Sequence, residues 1–402
     1  MLQQLALENF KGLKKAVVDF GRITVLIGPN GTGKSSISHA LMVLRQSIGG
    51  STLKVSGPLI NLGGFDDVLT KETSKKTIGL AISVGVGEYP DLNIMEKTSY
   101  SYKAYFDPNF VNFDAEIGGA GKKYLTAERT ARNRGTVVPK TFPRKLPSGQ
   151  ISIELRTQQQ VLSPILVAGS SQTGGLDNEL EAFQKQVTLY FSAMEVLLSN
   201  TYYVPAIRGL EQPTYPLASQ PSTDFAPGQN AELASTFAYA SADIKQMVSR
   251  WSESITGSAL AAPVVPGRNV AITSYAVPEG IPVIGDGFGT NQLVRLLLTL
   301  AITPRQSVLA IEEPEIHLHP KAQDMLCDIL VETAKAHDKQ IVLTTHSEHV
   351  LYRFVSAVRT GTLARHELVI YYFEEKGGEP QRVEQDEYGD IYDWGKNFFS
   401  LP

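Results

Sequence analysis

Apolar positions between Leu2 and Phe20 read as two short strands around the polar turn Asn9-Phe10-Lys11-Gly12. The unbroken run Ile23-Thr24-Val25-Leu26-Ile27 reads as a third, buried strand. A helix is expected from Lys34 to about Ser47, stopped by Gly49-Gly50, and Pro58 to Asp67 reads as a loop. Short strands then alternate from Lys76 to about Leu155, including Ile78 to Val84 and Ile151 to Leu155, and predict an inserted antiparallel arm. Leu180, Phe183, Val187, Tyr190, Phe191, Met194, Leu197 and Leu198 keep three-to-four spacing, which predicts one amphipathic helix from Leu176 to Asn200 with this stripe in the core. A strand at Thr201 to Val204, an exposed Pro/Ser/Thr-rich loop from Leu210 to Gly228 and a helix from Asn230 to about Ile255 follow. Beyond them an apolar helix starts near Gln292, Ser307 to Ile311 reads as a strand, Pro320 opens a helix to about Lys335, and Gln340 to Thr345 reads as a strand.

The chain has 402 residues, 42% of them hydrophobic, enough for the cores of two or three domains. A formal net charge of -4 gives no overall attraction to nucleic acid or to an anionic membrane. Cys327 is the single cysteine, which excludes a disulfide framework and a thiol metal cluster and fits a reducing cytoplasm. No apolar run predicts a signal peptide or a membrane span; the longest, Leu293 to Ile302, is interrupted by Arg295. One local charge concentration stands out. Lys122, Lys123, Arg129, Arg132, Arg134, Lys140, Arg144 and Lys145 surround Tyr124 and Phe142, a composition that suits nucleic-acid contacts or a solvated loop.

Gly28-Pro29-Asn30-Gly31-Thr32-Gly33-Lys34-Ser35 lies between the third strand and the first helix, which is the pattern and the context of a P-loop. Glycines permit a tight turn whose N–H groups face inward, and the positive end of the helix adds to them. Asn30, Gly31, Thr32, Gly33, Lys34, Ser35 and Ser36 are therefore the expected phosphate-binding residues, with the Lys34 charge at the γ-phosphate and the Ser35 hydroxyl on Mg²⁺.

Ser307 to Ile311 ends in Glu312-Glu313. Adjacent acids at a strand end point in opposite directions and can divide two roles. Glu312 is expected to hold Mg²⁺, directly or through water, and Glu313 to orient or deprotonate the attacking water. His346, at the end of the Gln340 strand, is expected to sense the γ-phosphate. His317 and His319 fit a loop better than a metal site with Glu315. Gly285 to Gln292 is a second glycine-rich turn feeding a helix, hence a second anion site and a reason to expect a site completed across a dimer.

With these motifs in this order, the chain resembles compact prokaryotic AAA-family ATPases of the ABC type, in the OLD, RecF and SMC group. Asn9 to Gly12, Gly28 to Ser36, Gly287-Phe288-Gly289 through Gln292, Ile311 to Pro320 (IEEPEIHLHP) and Leu343 to Ser347 (LTTHS) carry the resemblance. It implies an α/β P-loop fold with a mixed or parallel central sheet, helices on both faces, the antiparallel arm and a helical subdomain. The expected organisation is an N-terminal ATPase part at 1–75, the arm at 76–175 with its basic loop at 122–145, the helical subdomain at 176–260, a C-terminal ATPase part at 261–366 and a small strand unit at 367–402.

The resemblance further implies head-to-tail dimers, or larger assemblies of them, with ATP between one P-loop and the partner's Gly287, Gly289, Thr290 and Asn291. The signature has no serine, so Thr290 or the backbone would meet the γ-phosphate. The chain after His346 is too short for the Toprim nuclease domain of OLD proteins, so a nuclease or toxin output is expected from a separate partner. The function read from this is an ATP-hydrolysing dimerisation switch in prokaryotic anti-phage defence or DNA maintenance. Its alternatives are a RecF/SMC-like DNA clamp using the basic run and, behind that, a transporter ATPase subunit.

Overall fold

The computed structural model describes residues 1–48, 52–71, 73–74, 76–86, 98–106, 111–119, 122–129, 138–141, 154–156, 165–167, 192–223, 225–386 and 389–391. The chain divides into two compact units. One holds Met1–Phe20, Gly31–Ser199 and Glu375–Pro380; the other holds Gly21–Asn30, Asn200–Glu374 and Gln381–Pro402. β1 (Leu2–Phe10), β2 (Leu13–Asp19), β3 (Ile23–Ile27) and α1 (Lys34–Ser47) open the chain where the apolar pattern places them.

In the first unit β1 and β2 form a hairpin whose turn puts Asn9 and Lys11 at φ 56° and 54°. The free edge of β1 takes β4 (Ile78–Val86), with Leu5 opposite Ile82 and Leu7 opposite Leu80. These side chains are buried, which pins the register, because a one-residue slip would turn the whole row to the other face. β5 (Thr98–Phe106), β6 (Val111–Gly119), β7 (Lys122–Arg129) and β8 (Val138–Thr141) complete a seven-stranded sheet in the order β2-β1-β4-β5-β6-β7-β8. The antiparallel strands thus grow directly off the N-terminal hairpin. α1 lies against β1 and buries Ile37, Leu41 and Leu44 at helical spacing.

The second unit is built on β9 (Thr201–Val204), β10 (Val308–Glu312), β11 (Gln340–Thr344), β12 (Leu368–Tyr372) and β13 (Gln381–Arg382). Together with β3 they make a six-stranded sheet in the order β9-β10-β11-β3-β12-β13, parallel except for β13. Every residue of β3, β10, β11 and β12 is buried, as unbroken apolar runs require in a parallel sheet. Its helices are α2 (Asn230–Tyr239), α3 (Ala242–Thr256), α4 (Phe288–Ile302), α5 (Pro320–Ala336) and α6 (Glu348–Arg359). Leu293, Leu296, Leu297 and Leu300 of α4 join Leu309, Ile311, Ile341, Leu343, Leu326 and Phe354 in one core. Among the described residues, no helix is long and apolar enough to cross a membrane.

Two expectations need correction. The helix from Asn230 breaks at Ala240, because Ser241 leaves the helical conformation and its side chain caps the Ile244 N–H to start α3. The stretch from Leu210 to Gly228 is exposed only in part, at residues such as Glu211, Gln212, Pro213, Ser219 and Gln220, and also contributes to the core. Leu210, Tyr215 and Phe225 are buried in it, and the Tyr215 hydroxyl accepts from the N–H groups of Glu211 and Gln212. Of the helix expected from Leu176 to Asn200, 192–199 is helical, Asn200 is in a turn, and 176–191 lies outside the described residues.

Candidate active site

β3 delivers the chain into the glycine loop. Gly28, Gly31 and Gly33 have φ of 144°, 78° and 106°. A Cβ on Gly28 would run into the Phe373 carbonyl, and one on Gly33 would come within 2.7 Å of the Leu13 side chain. α1 starts at Lys34 with no side-chain cap and no acid in its first turn. A helix start of this kind presents backbone donors and positive potential, and the residues fit a phosphate chain. Asn30 and Gly31 are exposed, Ser35 is half-buried, and Thr32, Lys34 and Ser36 are buried. Further along α1, Lys11 Nζ lies 2.7 Å from His39 Nδ1. Burial, and then the Lys11 charge, lowers the His39 pKa to about 3, so its ring is neutral and Nδ1 accepts from the ammonium.

In the second unit the end of β10 carries Glu312, whose buried carboxylate receives a hydrogen bond from the Tyr203 hydroxyl of β9. Burial pushes the Tyr203 pKa up, and the Glu312 charge and hydrogen bond raise it further, so Tyr203 stays a donor. Glu313 follows at φ 42°, a left-handed conformation that turns its side chain out of the strand direction. Its N–H donates to the Thr344 carbonyl at 2.9 Å and faces the Thr344 hydroxyl at 3.3 Å. His346 Nε2 stands 3.8 Å from Glu313 Oε1, and both side chains are 33% exposed. The structure therefore brings together the residues expected to activate water and to sense the γ-phosphate.

The signature turn starts α4 with Gly287 at φ 72°, again with no side-chain cap and no acid in the first turn. Gly287 is exposed and Gly289 and Thr290 are half-buried. Asn291 is buried: Leu210 N–H donates to its Oδ1 at 2.8 Å, and its Nδ2 donates to the Leu210 carbonyl at 3.0 Å. Its amide thus fixes a loop, and only its backbone is left to serve an anion.

Three further residues are organised around the carboxylates. Glu315 is buried and accepts from the Thr345 hydroxyl at 2.6 Å and the His346 N–H at 3.0 Å. Burial raises its pKa against those hydrogen bonds. Tyr203 braces Glu312, and Arg208 spans the carbonyls of the turn after β10. Their partners lie some thirty to a hundred positions away, so no local pattern announces them; the one sequence signal is a charged residue, Arg208, inside the apolar-flanked run after β9. His317 is in a loop at φ 63°, and His319 caps α5 by accepting from Lys321 N–H. Among the described residues, no group of His, Cys, Asp and Glu side chains is arranged to hold a metal by itself. Of the basic run, Lys122, Lys123 and Arg129 fall on β7 and Lys140 on β8, while Arg132, Arg134, Arg144 and Lys145 lie outside the described residues.

The family model for the AAA ATPase domain matches residues 1–259 and 230–351. The chain belongs to the AAA ATPase domain family. No curated protein matches the sequence. Among solved structures, a crystal structure of an SMC head bound to the C-winged helix domain of ScpA is similar, with a TM-score of 0.51 and 13% identity, covering 95% of this chain and 96% of that one. The SMC head domain from Thermotoga maritima has a TM-score of 0.42 at 13% identity, covering 95% and 99%. An SMC head with an extended coiled coil, bound to the C-terminal domain of ScpA and derived from Pyrococcus furiosus, has 0.47 at 12%, covering 95% and 95%. The first likeness places this ATPase domain in an SMC-head-like P-loop fold of the α/β class.

Proposed function

We propose that this ATPase domain hydrolyses ATP and uses the nucleotide to switch between separate and paired copies, controlling a separate nuclease or toxin effector in prokaryotic defence or DNA maintenance. Lys34 and the amides from Asn30 to Ser36 bind the phosphates, and Ser35 and Glu312 hold Mg²⁺. Bound Mg²⁺-ATP supplies the phosphoanhydride and the charge neutralisation that the reaction needs. Glu313 orients and deprotonates water, and His346 reads the γ-phosphate position. Gly287, Gly289, Thr290 and the Asn291 backbone of a second copy close over the nucleotide. The observation that carries the hydrolytic part is the placement of Glu313 at a left-handed turn, its carboxylate 3.8 Å from His346 Nε2. A protein partner is supported by the SMC head of the comparison, which is bound to a ScpA domain.

The test is a pull-down of tagged Glu313→Gln from its native host with ATP and Mg²⁺, beside Lys34→Ala. The substitution removes the base and keeps the nucleotide, which traps the closed pair. A stoichiometric protein present with Glu313→Gln and absent with Lys34→Ala is the expected result and names the effector. Nuclease-sensitive nucleic acid without a protein would replace this reading with that of a DNA clamp.

A further inference from the structure

Arg208 lies in the loop after β9 and is 3% exposed. Its Nη1 donates to the Glu312 carbonyl at 3.0 Å, its Nη2 donates to the Pro314 carbonyl at 2.9 Å, and both approach the Glu313 carbonyl at 3.4 Å. The same loop is held from the other side by the start of α4. Arg208 N–H donates to Gln292 Oε1 at 2.6 Å, and Leu210 exchanges two hydrogen bonds with the Asn291 amide. Asn230 Nδ2 donates to the Gly209 carbonyl at 3.0 Å, and Arg295 of α4 donates to Asn230 Oδ1. A Cβ on Gly209 would lie 2.7 Å from Gln292 Nε2, so the loop approaches α4 as closely as glycine permits.

We infer that Arg208 is a positioning residue that ties the start of α4 to the carboxylate turn, so that engagement of the Gly287 to Gln292 signature is felt at Glu313. The inference rests on the ATPase reading above. Glu313 is at φ 42°, a conformation that persists only where its surroundings over-determine it. Thr344 holds its N–H and Arg208 holds the carbonyls on and around it. Burial lowers the Arg208 pKa only to about 10, so it remains a cation at neutral pH, and its charge faces Glu315 and Glu313. A second strut runs parallel: Phe288 meets the His317 ring edge-on at 4.7 Å, and a Cβ on Gly289 would lie 2.9 Å from the His317 carbonyl. The first residues of α4 are therefore linked to the segment after β10 by two routes, one through the Arg208 loop and one directly at His317. A signature displaced by a partner copy has a short, buried path to the water-activating carboxylate.

The experiment uses the full chain with Arg208→Lys, Gln292→Leu and both together. It measures kcat, KM, equilibrium binding of a fluorescent ATP analogue, and hydrogen exchange at the Glu313 N–H. Each single change is expected to lower kcat by roughly tenfold or more with KM and nucleotide affinity within about twofold. The double variant is expected to be no slower than the slower single one, because both act on one path. Exchange at Glu313 is expected to quicken in Gln292→Leu, whose side chain is off the turn. Unchanged kcat, losses that multiply in the double variant, or a rise in KM alone overturn the inference. If Arg208→Lys loses its cooperative melt, Gln292→Leu decides by the same two readouts. A parent chain that binds ATP without hydrolysing it would refute the ATPase reading instead, and exchange at Glu313 in Gln292→Leu would still decide the coupling.

Discussion

Glu315 accepts hydrogen bonds from the Thr345 hydroxyl at 2.6 Å and from the His346 N–H at 3.0 Å, so a buried carboxyl group on the loop after β10 sets where His346 leaves β11. Glu315→Gln keeps an oxygen acceptor at the same reach, whereas Glu315→Ala leaves the hydroxyl and the amide unsatisfied. We expect the first to melt close to the parent and the second to lose about 2 kcal/mol in denaturant unfolding. Equal losses in both would show that the carboxyl group matters for its charge and not as an acceptor.

Glu313 and His346 face one another but should fail in different ways. If Glu313 is the base proposed above, Glu313→Gln is expected to lower kcat by about a hundredfold or more with nucleotide affinity kept. His346→Ala should lower kcat less, by about tenfold, and flatten any difference between ATP and ADP affinity. Lys34→Ala should instead weaken binding itself by about tenfold or more, as loss of a charge-assisted phosphate contact does. Steady-state kinetics with direct nucleotide titration separate the three.

The glycines of the loop are not equivalent. Around Gly31 nothing lies within 4 Å of an added Cβ, so Gly31→Ala meets only the strain of φ 78° and is expected to cost about 1 kcal/mol. Gly33→Ala adds a 2.7 Å encounter with Leu13 to φ 106°, and should cost more and displace the first turn of α1. Thermal melts with and without ATP would check this: Gly31→Ala should keep most of the ligand-induced shift and Gly33→Ala should lose it.

Lys339 gives a pH-dependent stability. It is 2% exposed, its ammonium caps the end of α4 at the Leu300 carbonyl, and it lies 3.0 Å from the Thr303 hydroxyl. Burial, and then the Arg305 charge, lowers its pKa from 10.5 to about 7. Between those values the unfolded chain holds a proton that the folded chain has released, so stability rises with pH. Below pH 7 both forms are protonated and the dependence ends. Relative to Lys339→Met, the parent should gain stability from pH 7 to pH 9, by up to about 1.4 kcal/mol per pH unit. Parallel pH curves for the two proteins would refute it.

The sequence by itself determined whatever depends on neighbours along the chain. The run Ile23 to Ile27, the glycine loop and α1 were legible because strand, turn and helix start follow from residue types a few positions apart. Glu312 and Glu313 were legible at the end of β10, and His346 just past the end of β11, because the buried stretches before them are largely apolar. The break between α2 and α3 has a local signal in the capping residue Ser241, but the helical pattern runs on through it and the sequence reads as one helix. Only the tertiary structure decided that Tyr203 braces Glu312, that Glu315 fixes His346, and that Arg208 joins the α4 start to the turn beside Glu313. Those partners meet because β9, β10 and β11 lie side by side in the sheet, and strand order is set by the packing of whole faces, which no local spacing encodes.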